Sequence, residues 1–147
     1  MTRGMSTRRE ALKAIGTQLV MKVGGASGPL YGTLFLALSK EIAPDASNLP
    51  SAFAKAVEAV KARGKSQPGQ KTMLDVLAPV QMALAEGGAD LPARLPDVAA
   101  SAAAATIPML ATRGRASFLG ERSIGHMDPG ARSSALIVAS VCRALED

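Results

Sequence analysis

The chain has 147 residues, enough for one domain with a sizeable core. Hydrophobic residues make up 48% but aromatics only 3%, with no tryptophan, so the core must be built from Ala, Leu, Val, Ile and Met, and the fold class expected is all-α. The formal charge is +5, yet the basic residues are scattered and aromatics too few for base stacking, which argues against a nucleic-acid binder.

The sequence predicts about six helices. Thr7-Arg8-Arg9-Glu10 reads as a capping box, and Leu12, Ile15, Leu19 and Val23 follow at helical spacing. Arg3, Arg8, Arg9 and Lys13 form the densest basic cluster, read as a solvated helix face. Gly24-Gly25 stops this helix, and Pro29 suits the first turn of a second, running to about Ala43. A third helix is expected from Ser51 to Arg63, with Phe53, Val57 and Val60 on one face and Gly64 as its stop. After a polar loop a fourth runs from Thr72 to Glu86, with Pro79 as a kink or break and Gly87-Gly88 at its end. A fifth covers roughly Leu95 to Ala111, and an irregular segment follows from Thr112 to Met127. Asp128 as N-cap and Pro129 in the first turn open the last helix, which should carry Leu136, Val138, Ala139, Cys142 and Leu145 inward. No period-two strand pattern and no internal repeat occurs.

The single cysteine, Cys142, rules out an internal disulfide and suits a reducing, cytoplasmic location. No uninterrupted apolar run of about eighteen residues is present, so no membrane span is expected, and charged residues precede the first short apolar run, unlike a signal peptide.

Three glycine-containing loops are candidates for chemistry. In the first, Val23 to Thr33, small residues lead into a helix start, where backbone N–H groups and the helix dipole favour an anion. It lacks the Gly-Lys-Ser/Thr ending of a Walker A loop, and on local grounds it reads first as a tight helix–helix turn. In the second, Gly64 to Met73, Gly64 and Gly69 permit close approach of a ligand, Lys65 and Lys71 can meet phosphates, and Met73 can lie against a flat base. The bland alternative is an exposed loop. In the third, Gly114 to Gly130, Arg115 and Arg122 offer planar forks for phosphate or carboxylate. His126, the only histidine, reads locally as a loop-fixing hydrogen-bond partner, and Asp128 as a helix cap.

Together, Gly24-Gly25-Ala26-Ser27-Gly28-Pro29-Leu30-Tyr31-Gly32-Thr33, then Pro68-Gly69-Gln70-Lys71-Thr72-Met73-Leu74-Asp75, then the run from Gly114-Arg115-Ala116-Ser117-Phe118-Leu119-Gly120 through Glu121-Arg122-Ser123-Ile124-Gly125-His126-Met127 to Asp128-Pro129-Gly130-Ala131 resemble the L-type, nucleotide-binding subunit of dihydroxyacetone kinases. The resemblance covers about residues 10–147. It implies one domain over residues 1–147, shortened at the N-terminus, folded as an antiparallel up-and-down helical barrel with a nucleotide at one end among the glycine-rich loops. It implies phosphates near Gly25, Ala26 and Ser27, with Gly24 and Gly28 also among the nucleotide-binding residues. It further implies adenine along Gly64 and Met73, nucleotide binding by Thr72, closure by Arg115 and Asp128-Pro129-Gly130, and loop shaping by Arg122 and His126. The implied activity is phosphoryl transfer from bound ATP, or from rephosphorylated ADP, to dihydroxyacetone on a partner K-type subunit. A phosphocarrier of the phosphotransferase system is a second implied partner. No nucleic-acid or membrane partner is implied.

Two departures stand out. The family holds magnesium through aspartates in a Gly-Asp-x-Asp-His-Gly motif, ahead of a stretch whose tail Met1-Thr2-Arg3-Gly4-Met5 resembles. None of the acidic residues here forms such a cluster, so no metal ligand is assigned and magnesium alongside the nucleotide is in question. Gln70 stands where the family usually has Asp. A second reading is therefore a non-catalytic binding or regulatory protein of the same fold, and a third is a general phosphate-binding helical module.

Overall fold

The computed structural model describes residues 2–25 and 27–146, with side chains from Arg9 to Arg143 apart from Ala26. It is all-helical, with no strand among the described residues. Six α-helices run in order: α1 (Thr2–Lys22), α2 (Ser27–Glu41), α3 (Leu49–Gly64), α4 (Leu74–Glu86), α5 (Leu91–Ala104) and α6 (Pro129–Glu146). A 3-10 segment, Arg115–Ser123, interrupted at Gly120, precedes α6. The chain falls into two compact units, residues 1–65 and 66–147.

In the first unit α1 and α2 form an antiparallel hairpin that only glycines allow. A Cβ on Gly32 would collide with Val20 Cγ2 and lie 3.0 Å from Gly16 O, and one on Gly16 would lie 2.8 Å from Leu36 Cγ. Near the turn, a Cβ on Gly28 would run into Val23 O and sit 2.7 Å from Leu19 O. The two backbones thus touch along one seam, which suits a core built from small side chains. Arg9 donates from Nη2 to Lys40 O (3.3 Å) and Ile42 O (3.1 Å), caring for the carbonyls at the end of α2. One member of the basic N-terminal cluster is therefore a helix cap, while Arg3 and Arg8 have side chains outside those described. Asn48 bridges the same end, accepting from Ala43 N (2.7 Å) and donating to Glu41 O (2.8 Å). In α3, Ala52, Ala56, Val57 and Val60 are buried at helical spacing; Phe53 is only half-buried.

In the second unit α4 is the core element, burying Leu74, Val76, Leu77, Val80, Ala83 and Leu84. It packs with α5 and α6. Pro79 is accommodated within it. Arg94 clasps Asp90 Oδ1 (3.0 Å) and the Gly87 carbonyl (3.1 Å) across the α4–α5 turn.

Several expected boundaries move. α1 starts at Thr2, so Thr7 lies inside a helix and the capping box does not form its start. α3 includes Gly64, and its end is capped by Lys65 in left-handed conformation (φ +50°), whose N–H reaches Lys61 O. α4 begins two residues after Thr72, and α5 spans Leu91–Ala104 rather than 95–111. Pro108 biases Ile107 away from helical angles, and Thr106 turns inward, donating to Ala103 O (2.6 Å). The inward face of α6 carries Ala131, Ser134 and Cys142, whereas Leu136 is 58% exposed; Leu145 lies outside the side chains described.

Candidate nucleotide site

The first loop has two parts with different jobs. Gly24 and Gly25 are exposed, with no atom within 4 Å of a Cβ built on either, and Gly25 has φ +70°. Ser27 is exposed at the start of α2, and the first turn of α2 carries no acidic side chain. This helix N-terminus therefore has its positive dipole end uncompensated by a carboxylate of its own turn. Gly28 is buried against the last carbonyls of α1 and serves packing. Ala26 lies outside the described residues.

In the second unit the starts of α4 and α6 meet. A Cβ on Gly130 would lie 3.3 Å from Met73 N and 3.4 Å from Met73 Cβ, so the Asp128-Pro129-Gly130 turn sits directly on Met73. Both helix starts are served by buried carboxylates. Asp75 accepts from Gly69 N (2.6 Å) and Thr72 N (2.8 Å). Asp128 accepts from Ala131 N (2.8 Å), as expected of an N-cap, and its own N–H donates to Thr106 Oγ1 (3.0 Å). Burial pushes the Asp128 carboxyl above its ordinary range, and the nearby Asp75 charge pushes the same way; the Ala131 and Gly130 N–H groups and Lys71 oppose them. Thr72 Oγ1 accepts from Leu74 N (3.1 Å) and completes the start of α4.

Lys71 corrects a sequence expectation. It is 3% exposed, and its Nζ donates to Ile107 O (3.3 Å), Met109 O (3.1 Å) and Ser123 O. An ammonium has three donors, and all three are engaged, so Lys71 has nothing left for a phosphate. Lys65 is exposed. Gln70 does not disorder its loop: its Oε1 accepts from Gln67 N (2.9 Å), and Asp75 supplies the rest.

The third motif folds as the 3-10 segment and its flanks. Ser123 is buried, donating to Gly120 O (2.7 Å) and accepting from Ala111 N (3.0 Å). Gly125 N donates to Ile107 O (2.7 Å). Arg115, Arg122 and His126 are exposed and make no side-chain hydrogen bond or ion pair among the described residues. The bonds that shape this segment come from Lys71, Ser123 and Thr106, not from Arg122 or His126 as expected. Phe118, in the same segment, is 87% exposed. The roles of Lys71, Asp75, Thr106 and Ser123 escaped sequence reading. Lys71 and Asp75 both stand inside the second quoted motif, but their partners are set by the fold.

The DAK2 domain matches residues 3–143, running through both units. The chain belongs to the DAK2 domain family. It is 50% identical over 131 residues to the ADP-binding subunit DhaL of PEP-dependent dihydroxyacetone kinase 1 of Listeria innocua, covering 87% of this chain and 64% of that protein. It is 43% identical over 149 residues to the ADP-binding subunit of the PTS-dependent dihydroxyacetone kinase of Lactococcus lactis, covering 93% and 74%. Against the PEP-dependent counterpart of Escherichia coli it is 46% identical over 132 residues, covering 83% and 63%. The chain thus spans under two thirds of the length of the Listeria and Escherichia relatives. The dihydroxyacetone kinase of C. freundii shares its fold, with a TM-score of 0.72 at 23% identity over 95% of this chain and 24% of that one.

A metal partner for the nucleotide is not supplied by these residues. Among the described residues no three His, Cys, Asp or Glu side chains gather to hold an ion. Asp75 and Asp128, the buried carboxylates of the second unit, are already committed to backbone N–H groups.

Proposed function

We propose that this chain is the nucleotide-holding part of a dihydroxyacetone kinase, binding ADP or ATP while a separate K-type subunit presents the ketose hydroxyl. The observation that carries the reading is the open start of α2, set against the starts of α4 and α6. The α2 start is open at Gly24 and Gly25, with no acidic residue in its first turn. The α4 start carries the Asp75 carboxylate in its first turn, and the α6 start is capped by Asp128. A polyanionic diphosphate is attracted to the first and repelled by the other two. Within the second unit, Arg115 offers an exposed fork for an anion. The names of the relatives, ADP-binding subunits of PEP- and PTS-dependent kinases, point the same way.

In this reading the chain's residues bind and orient; none is placed as a general base. Catalysis would rest on positioning and on N–H groups and guanidinium facing the charge that moves. The described residues do not fit magnesium, and no step is assigned to it. The phosphocarrier-linked version, with ADP rephosphorylated in place, goes with separate subunits. A cytoplasmic location goes with the single, buried Cys142. Among the described residues no helix is long and apolar enough to cross a membrane.

Calorimetric titration with ADP, with and without magnesium, tests the reading, beside pyrophosphate and adenosine. Expected is saturable ADP binding that neither fragment matches. Pyrophosphate binding as tightly as ADP would replace it with a general phosphate module, and no binding of any of the three would leave a non-catalytic protein of this fold.

A further inference from the structure

We propose that Lys71 is a positioning residue for nucleotide binding, acting through Arg115 without touching the ligand; this rests on the nucleotide reading above. Lys71 leaves the loop before α4 with φ +64°, a left-handed conformation that a lysine adopts only under constraint. Its buried Nζ then gathers three carbonyls, those of Ile107, Met109 and Ser123, which lie 36, 38 and 52 positions away. All three belong to the stretch between α5 and α6 that carries Arg115 and Arg122.

Most of what else holds that stretch is internal to it or at its own end, Gly125 N to Ile107 O (2.7 Å) and Asp128 N to Thr106 Oγ1 (3.0 Å). Gly114, Gly120 and Gly125 all have positive φ with open space at the Cβ position. Phe118 and Leu119 are exposed and contribute little packing. Ser123 ties it internally to Ala111 and Gly120. From the loop before α4, one backbone bond reaches it, Thr112 N to Gln70 O at 3.3 Å, and Lys71 is the one side chain that does, among the hydrogen bonds of the described residues. Ile107 and Ser123 bracket Arg115 on either side along the chain. A single ammonium holding both brackets therefore sets where the guanidinium stands. Without Lys71, Ile107 O keeps Gly125 N (2.7 Å), but Met109 O and Ser123 O lose this donor and would shift to recover partners, and Arg115 would move with them.

A double-mutant cycle on ADP affinity separates this from a merely stabilising lysine. Lys71→Met and Arg115→Ala are each expected to weaken ADP binding by about tenfold or more, the scale of one charged hydrogen bond. Together they should weaken it no further than either alone, because the Arg115 contribution is already gone when Lys71 is removed. Should Lys71→Met fail to fold, Ser123→Ala, which loosens the same bracket from within, enters the cycle instead, with the same non-additivity expected. Losses that multiply, or a Lys71 variant that binds ADP as the parent does, would overturn the proposal while leaving the nucleotide reading intact. Arg115→Ala binding like the parent while Lys71→Met is weakened would also overturn it. A parent chain that does not bind ADP sinks both.

Discussion

Asp128 shows how one side chain can be obvious in sequence and still carry a surprise. Its place as N-cap of α6 follows from Asp-Pro-Gly alone, because capping is local. Its neighbours were not legible, because Asp75 and Lys71 stand more than fifty positions earlier and reach it only through the fold. Burial and Asp75 raise its carboxyl above 3.8 in the folded state. Between the ordinary value and the raised one, the folded chain binds more protons than the unfolded chain. Stability therefore falls as pH rises through that window and stays lowered above it. Asp128→Asn removes the charge and keeps an oxygen for the Ala131 N–H. Its denaturation midpoint should equal or exceed the parent's at neutral pH, with any advantage vanishing as pH drops below the window. Asp128→Ala loses the cap as well and should cost about 1 kcal/mol. Urea titrations at several pH values check both. An asparagine variant that is less stable at neutral pH than at acid pH, relative to the parent, would show that attraction to Lys71 outweighs burial.

Among the helices, existence was easier to read than phase or end. Gly-Gly and Asp-Pro mark breaks that depend on backbone angles of a few residues, and α2, α4 and α6 begin or end close to where those signals stand. The inward face of α6 was not readable, since apolar residues occupy more than one side of it and the helix is phased by Gly130 lying against Met73, with Ala131 fully buried. The same limit hid the seam of the α1–α2 hairpin: Gly16, Gly28 and Gly32 look like loop or flexibility signals until the partner helix is present. Gly32→Ala should therefore destabilise by about 1–3 kcal/mol, as overpacking does, read from chemical denaturation. Gly28→Ala should do at least as much, because the obstruction is backbone carbonyl. Gly24→Ala meets open space and should leave the midpoint nearly unchanged. If the open turn admits phosphates, Gly24→Ala should still weaken ADP binding. Equal stability losses at Gly24 and Gly28 would contradict the division of that loop into an open part and a packed part.

For the whole molecule, composition alone gave the all-α class, since 48% apolar residues with 3% aromatics leave small aliphatic side chains to fill the core. The candidate site was legible as three motifs in order, but not which residues in them face a ligand and which hold the frame. Ligand linkage connects the two levels. A nucleotide that binds only the folded chain raises its stability by mass action, roughly 2.7 kcal/mol at one hundred times the dissociation constant. For a chain of this length that corresponds to roughly 5–10 °C in Tm. The +5 formal charge and the exposed Arg115 and Arg122 make the interaction with a polyanion favourable at range and sensitive to screening. Thermal scans with saturating ADP should show the upward shift at low salt and a smaller one at high salt, while adenosine gives a small shift that salt leaves alone. A salt-independent ADP shift would mean that the base, not the phosphates, supplies the affinity. The open start of α2 would then lose its role.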